Sequence, residues 1–205
     1  MSGVVERLPT LVIVLFALSA SGCAAFVAGG AAATGLAVHD RRSFGTVVDD
    51  RAIAVRATDA IWKGEEFDSG DRVKISAYNG WVLLTGEVGS EDKIGEAEER
   101  VADLSGVRRV INELEVTDKA TMGQRTRDSW TSSRVRTALF GIRDVEGFDP
   151  SRVRITTVRE TVYLQGLVTQ EEAEAVVEEA RTVGGVGRVV TVFEYLEDQP
   201  PAERG

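Results

Sequence analysis

Cysteine and histidine are almost absent from this chain of 205 residues, which has one of each, Cys23 and His39. A zinc cluster needs several Cys or His ligands and a disulfide needs two cysteines, so one chain forms neither. A Cys–His nucleophile pair would require these two residues to meet. These absences exclude the Cys/His classes of site; we also expect a protein that is not an enzyme, with no catalytic residues, no metal site and no cofactor.

Positive charge and long apolar runs are also scarce. The chain has 24 Lys and Arg against 33 Asp and Glu, a formal net charge of -9, which argues against a nucleic-acid partner. Residues 11–18 form an apolar run of eight, whereas a bilayer-spanning helix needs about 20 residues. This run has the length of a signal-peptide apolar region.

The lone cysteine follows small residues. The segment from Ala20 to Cys23 (ASGC) resembles a bacterial lipobox, with Ala20 where leucine is usual. The resemblance implies a lipoprotein signal peptide over residues 1–22 and a lipid anchor (palmitate among its acyl chains) at Cys23. Ala24 is not the aspartate that retains enterobacterial lipoproteins in the inner membrane, so the outer membrane is favoured. The alternative is an ordinary secretory signal with a chance cysteine.

An uncharged Ala/Gly-rich stretch follows the cysteine, over residues 24–38. Its glycines disfavour a stable helix, so we predict a tether over residues 23–47 rather than a second membrane segment.

The rest of the chain is a repeat with an offset of about 80 positions. WVLLTG at 81–86 aligns with TVYLQG at 161–166, and GVRRV at 106–110 aligns with GVGRV at 185–189. Both copies have the same order of signals: an amphipathic segment, two strands joined by a turn, a Glu/Ala-rich helix and a third strand. We predict an α+β fold of two tandem αββαβ domains, each a three-stranded sheet packed by helices. The predicted segments are residues 49–63, 72–77, 81–88, 90–104 and 107–116, then 128–142, 152–157, 161–168, 170–183 and 187–196.

The first predicted hairpin has Asn79-Gly80 at its turn, a favoured pair for a two-residue loop. The second has Arg159-Glu160 at that place, and neither residue type favours the positive φ angles of such a turn.

These motifs resemble the BON domain (bacterial OsmY and nodulation), present twice. VLLTG at 82–86 and VYLQG at 162–166, each before a helix, carry the resemblance. The aligned motifs also mark four structural glycines, Gly86, Gly106, Gly166 and Gly185. We place the first BON domain at 48–118, a linker at 119–127, the second BON domain at 128–196 and a disordered tail at 197–205.

The resemblance implies a periplasm-facing outer-membrane lipoprotein. It further implies binding of an anionic phospholipid membrane through the second domain, support of outer-membrane integrity and a place at the division site. Outer-membrane assembly or division-site proteins are the further partners it suggests.

Charge is divided unequally between the copies. Residues 49–118 carry nine basic and 17 acidic side chains, a net charge of -8, whereas residues 119–196 carry 11 of each. Within the second copy, residues 125–159 hold eight arginines and four acidic residues, a net charge of +4. The helix of the first copy is acidic, so we expect that domain to serve as a spacer or protein contact rather than to meet an anionic membrane.

The segment 128–142 has two chemically different faces. A core-facing stripe contains Val135, Ala138, Leu139 and Ile142, and Asp128 or Ser129 is expected to cap the helix. The predicted phospholipid-binding residues lie off that stripe: Trp130, Arg134, Arg136 and Phe140. Aromatic rings flanked by arginines are typical of an interfacial membrane helix.

Three alternatives stay open. In the first, Trp130 and Phe140 pack against the first domain or the linker. In the second, the same face serves a protein–protein adaptor for envelope assembly machinery. The third is a soluble, stress-induced periplasmic protein.

Overall fold

Two helices and three strands occur twice in the computed structural model, which describes residues 40–196. The first domain comprises α1 (Phe44–Trp62), β1 (Arg72–Tyr78), β2 (Trp81–Val88), α2 (Glu91–Ala102) and β3 (Arg109–Val116). The second comprises α3 (Met122–Leu139), a 3₁₀ turn at Pro150–Arg152, β4 (Val153–Val158), β5 (Thr161–Val168), α4 (Gln170–Thr182) and β6 (Arg188–Tyr195). In each sheet the first two strands are antiparallel and the last two are parallel. The predicted fold class is confirmed.

Several predicted features lie outside the described residues. These are the signal peptide (1–22), the anchor Cys23, the tether up to residue 39 and the tail (197–205). Among residues 40–196, no helix has the length and apolar composition to cross a membrane.

Each sheet is covered on one face by its own two helices. In the first domain, Ile53, Ala57 and Ile61 of α1 are fully buried at helical spacing and form a core with β2 and α2. In the second, Val135 and Leu139 of α3 occupy the corresponding places. The core stripe of α3 also includes Asp128 and Thr131, whereas Ala138 and Ile142 are only half-buried.

Both first helices begin earlier than the sequence prediction. Ser43 caps α1 by accepting from Thr46 N at 3.0 Å, so residues 44–47 of the predicted tether are helical. Thr121 caps α3 in a capping box with Gln124. Neither predicted cap, Asp128 or Ser129, holds that place, and residues 122–127 of the predicted linker (119–127) are helical. The apolar stripe marked where the helix is buried, whereas the capping residues mark where it begins.

The two hairpins use the same turn with different chemistry. Asn79 and Gly80 have φ values of 50° and 74°, and Arg159 and Glu160 have values of 47° and 63°. In the first turn, Asp50 of α1 accepts from Asn79 N at 2.7 Å and from Gly80 N at 2.8 Å. In the second, the Arg159 side chain donates to Asp118 O and to Glu87 Oε1. The tight turn disfavoured by sequence therefore forms, with its arginine bound to the first domain.

Gly86 is the most constrained of the four predicted structural glycines. It has a φ of 134°, and a Cβ there would lie 1.8 Å from Arg72 O. Gly106 and Gly185 also have positive φ angles, of 88° and 93°. At Gly166 a Cβ would lie 3.1 Å from Arg152 O, a tight contact but no overlap.

The second faces of the two sheets pack against each other, which the sequence did not reveal. Leu83 and Tyr163 are buried in a cluster drawn from both sheets. Polar bonds surround this cluster: Tyr78 Oη donates to Arg152 O at 2.9 Å, and Arg108 binds Glu194 at 2.8 Å. Residues 40–196 belong to one compact unit with four layers: helices, sheet, sheet, helices.

A fully buried carboxylate, Glu87 of β2, joins the domains at this interface. It binds Arg72 through two bonds of 2.6 Å, and Arg159 of the second domain lies 3.3 Å away. Burial raises the pKa of Glu87, but the Arg72 hydrogen bond and charge outweigh burial, so this pKa lies below its ordinary value of 4.5.

The start of the described chain is tied to both domains. Arg42 binds Asp50 of α1 at 2.7 Å. Arg41 binds both carboxylate oxygens of Glu172 at the start of α4, and donates to Leu167 O at 3.1 Å. We call this pair of arginines the N-terminal latch.

Candidate functional site

The outward surface of α3 contains three large exposed apolar side chains. Met122 is 72% exposed, Trp130 is 69% exposed and Phe140 is 66% exposed. At 100° per residue they fall within an arc of about 80° on the side opposite the buried stripe. Trp130 and Phe140 are therefore not packed against the first domain or the linker. Met122 was missed from sequence because the helix was predicted to begin six residues later.

Hydroxyl residues fill the rest of this surface. With Met122, Trp130 and Phe140 they form what we call the outer strip; its other members are Thr126, Ser129, Ser133 and Thr137. Each hydroxyl donates to the carbonyl four residues earlier, at 2.9–3.0 Å. Because these hydrogens are already bonded within the helix, the strip is less costly to remove from water than its composition suggests.

Arginines lie along both sides of the outer strip. Arg127 and Arg134 project on one side, and Arg125 and Arg136 on the other, as the helical angle dictates. All four are exposed, and within residues 40–196 none has an ion-pair partner in the structure. The acidic residue of α3 is Asp128, which is buried. The strip itself carries no charge.

Trp130 separates two shallow clefts. One, of about 450 Å³, is lined by Arg127, Asp128, Arg134 and the Gly184-Gly185 segment after α4; the other, of about 480 Å³, lies between α3 and the end of α4. Gly184 makes room for Arg134, since a Cβ there would lie 3.0 Å from Arg134 Nη2. Gly184 thus leaves room for the Arg134 guanidinium, which lines both clefts together with Trp130.

Asp128 differs from its counterpart Asp50, 78 positions earlier. The Asp50 carboxylate caps the first hairpin turn, whereas Asp128 Oδ2 has no hydrogen-bond partner among the described residues although Asp128 is only 5% exposed. Asp128 therefore contributes a negative charge beneath the arginines but no capping bond to the turn.

No described group of three or more His, Cys, Asp or Glu side chains is arranged to hold a metal ion. The described part of α3 offers cations, aromatic rings and internally bonded hydroxyls on a convex helix. That chemistry suits contact with a surface rather than enclosure of a small substrate.

Comparisons with known proteins place this geometry in a family. The BON domain family matches residues 49–118 and 127–197. The outer membrane lipoprotein DolP of Haemophilus influenzae is 34% identical over 86% of this chain and 90% of its own length. A 21 kDa hemolysin of Actinobacillus pleuropneumoniae is 31% identical over 77% of this chain and 80% of its own.

A solved structure of CdsD, from the type III secretion system of Chlamydia trachomatis, covers 71% of this chain and 92% of its own at 16% identity. Its TM-score of 0.26 is too low to carry a structural conclusion.

Proposed function

Because this chain belongs to the BON domain family, with two such domains, we propose that it is a lipid-anchored, periplasm-facing outer-membrane protein that binds anionic phospholipid through α3. The role is one of binding and not of catalysis. A relative named as an outer membrane lipoprotein, matched over 90% of its length, supports the location. Support of outer-membrane integrity is the cellular role that this placement suggests.

The observation that carries the lipid proposal is an uncharged strip between two rows of arginines. Rings and the Met122 side chain enter the headgroup layer, while the guanidinium groups on both sides meet phosphates. Each basic residue near an anionic leaflet contributes about 1 kcal/mol, so four arginines supply roughly 4 kcal/mol. That is enough to orient a protein already held at the membrane, but too little for stable attachment alone.

The anchor at Cys23 supplies the remaining affinity in this proposal. More than one acyl chain gives stable attachment, and a tethered domain meets the membrane at a high effective concentration. The second contact then adds selectivity for lipid composition. Labelling with a palmitate analogue tests the anchor. The native chain should be labelled, and Cys23→Ser should lose the label. Absence of label from the native chain would contradict the anchor and favour the soluble periplasmic alternative.

Vesicle binding tests the α3 contact, using the full chain with Cys23→Ser so that acylation does not mask it. We expect co-sedimentation with phosphatidylglycerol-containing vesicles but not with phosphatidylcholine alone. Trp130→Ala should weaken binding roughly tenfold, since an interfacial aromatic contributes about 1.5 kcal/mol or more. Trp62→Ala, which removes an exposed tryptophan of α1, is the matched control. Equal loss in both variants would contradict a role for α3.

The protein–protein adaptor remains a second candidate. It predicts that the same α3 variants leave vesicle binding unchanged while they reduce recovery of envelope proteins after crosslinking in cells.

A further inference from the structure

A polar cavity of about 250 Å³ lies between the two sheets. Equivalent residues of the two repeats line it, 80 positions apart. Lys74 Nζ donates to Thr157 O at 3.1 Å, and Arg154 Nη1 donates to Ala77 O at 3.0 Å. Arg154 is the counterpart of Lys74, and Thr157 is the counterpart of Ala77, so the second bond is the first with the repeats exchanged. The cavity therefore lies where the two domains are related by an approximate twofold axis.

Two cations line this cavity without a directly bonded carboxylate. Among residues 40–196, no carboxylate forms an ion pair with Lys74 or Arg154. Burial lowers the pKa of Lys74, and the nearby Arg72 charge lowers it further. Burial likewise lowers the pKa of Arg154, with a contribution from Arg42. The charges of two carboxylates, Asp128 and Glu87, raise the pKa of Lys74. They offset only part of the lowering caused by burial and by Arg72.

Hydroxyl groups complete the lining. Thr85 is 1% exposed, and its Oγ1 has no hydrogen-bond partner among the described residues. Ser76, Ser132 and Thr157 also line the cavity. Such an unpartnered buried hydroxyl is costly in a folded protein.

The repeats differ in side-chain size at Thr85, which lines the cavity. Gln165 is the counterpart of Thr85, and its longer side chain extends across the interface, with Nε2 3.5 Å from Ser76 O. Thr85 is shorter and leaves space on its side. At about 30 Å³ per water molecule, 250 Å³ has room for a small anion together with several waters.

We propose that this cavity binds a tetrahedral phosphate group, held between Lys74 and Arg154 with the Thr85 hydroxyl as a further donor. Inorganic phosphate and a phosphomonoester offer the same chemistry. A bound anion satisfies both cations at once and links the two domains, so it stabilises the folded unit by mass action.

Calorimetric titration of the full chain with inorganic phosphate tests the site, in chloride buffer at constant ionic strength. We expect saturable binding and a thermal midpoint that rises with phosphate concentration. Lys74→Met should weaken binding about tenfold or more, the cost of a charge-assisted hydrogen bond. Lys119→Met is the control, because Lys119 bonds to Ser69 O outside the cavity.

Two substitutions at Thr85 keep the test independent of folding defects. Thr85→Val removes the unpartnered hydroxyl at constant volume, so the midpoint without phosphate should rise while phosphate affinity falls. Thr85→Gln copies the second repeat and fills the space, so it should abolish binding with both cations retained.

Glycerol 3-phosphate in place of phosphate identifies the source. Binding with the same dependence on Lys74 and Thr85 assigns the site to phosphomonoesters as well, whereas binding of phosphate alone assigns it to the free ion. Absence of saturable binding by both, or native affinity in Thr85→Gln, would overturn the proposal and leave a hydrated cavity.

Discussion

The helices α1 and α3 occupy the same place in the two repeats, yet they present different charges to their surroundings. They align at an offset of 78, so that Phe44 matches Met122 and Trp62 matches Phe140, all of them exposed. The exposed charges around these apolar residues differ: α1 has two acidic and two basic side chains there, whereas α3 has arginines alone. Asp49 of α1 corresponds to Arg127, and Asp59, which lies within the outer face of α1, corresponds to the uncharged Thr137.

The comparison separates fold from function. Both helices keep a buried stripe, because the sheet beneath needs an apolar cover, and both have a polar N-cap and a buried aspartate. The outward residues differ as well, and in the proposed function these residues set the partner. An apolar face with acidic neighbours is repelled by an anionic leaflet, whereas the same face between arginines is attracted to it.

Reversal of charge on α3 should give the largest effect. The double variant Arg134→Glu with Arg136→Glu changes the local charge by four units, which corresponds to about 4 kcal/mol and roughly a thousandfold loss of vesicle affinity. Circular dichroism should remain native, since both side chains are exposed. The lysine double variant at these positions should retain most of the binding. Undiminished binding by the glutamate variant would show that the two helices do not differ as proposed.

The interface distinguishes the repeats as well, because Glu87 of the first corresponds to Leu167 of the second. Glu87→Leu should destabilise the chain by about 3 kcal/mol, since it leaves Arg72 without its buried partner. Urea unfolding measures this. Glu113→Leu is the control, because Glu113 lies 3.7 Å from an exposed Arg188 and such a pair contributes less than about 1 kcal/mol.

A single carboxylate placed in the outer strip should make α3 resemble α1. Thr137→Asp copies Asp59 and should weaken vesicle binding about fivefold through repulsion by the leaflet. Thr137→Asn has nearly the same shape without the charge and should bind almost as the native chain does. Equal losses in the two variants would assign the effect to the lost Thr137 hydroxyl bond instead.

The reverse change should give the first domain part of the same activity. The starting variant carries Trp130→Ala. Adding the double substitution Asp49→Arg and Asp59→Thr to it should raise vesicle affinity about threefold. The gain is smaller because the first domain keeps its other acidic residues, so its net charge still opposes binding. High salt should abolish the gain.

Each repeat also carries a largely buried carboxylate that links stability to pH, Glu87 in the first and Glu172 in the second. Burial raises the pKa of Glu172, but the hydrogen bonds from Arg41 and Thr169 and the charges of Arg41 and Arg152 together outweigh burial, so this pKa is lowered. Because the folded pKa lies below the unfolded value of 4.5, the stabilisation is present above about pH 4.5 and declines as pH falls below it. Thermal midpoints between pH 7 and 3 should show this decline, and Glu172→Gln should reduce its slope.

The sequence predicted the strands closely, and the helices α2 and α4 began within one residue of their predicted starts, whereas the beginnings of α1 and α3 were predicted poorly. The predicted bounds of β2 and β5 agree with the structure at both ends, because each apolar run is confined by a turn and by a helix cap. The first helix of each repeat begins with exposed residues that leave no apolar periodicity. The signals at those positions were Ser43 and the Thr121–Gln124 capping pair.

The packing of sheet on sheet could not be predicted from these residues by alternation alone. Arg72, Lys74, Ser76 and Tyr78 alternate with the core residues of β1, and a polar set of this kind is typical of a solvent-facing strand surface. Because the two sheets pack together, every residue of β5 is buried. Sequence reasoning missed this burial. The four residues selected on α3 are indeed exposed, and their contact with lipid stays a prediction.

The N-terminal latch has a mechanical consequence. Arg41 crosses to Glu172 while Arg42 binds Asp50, so a pull that arrives along the backbone at Asp40 is shared between helices of both repeats. Such a load acts on several ionic bonds together and does not peel α1 from its end. If the chain is anchored as proposed, tension on its N-terminal side would therefore load both repeats together.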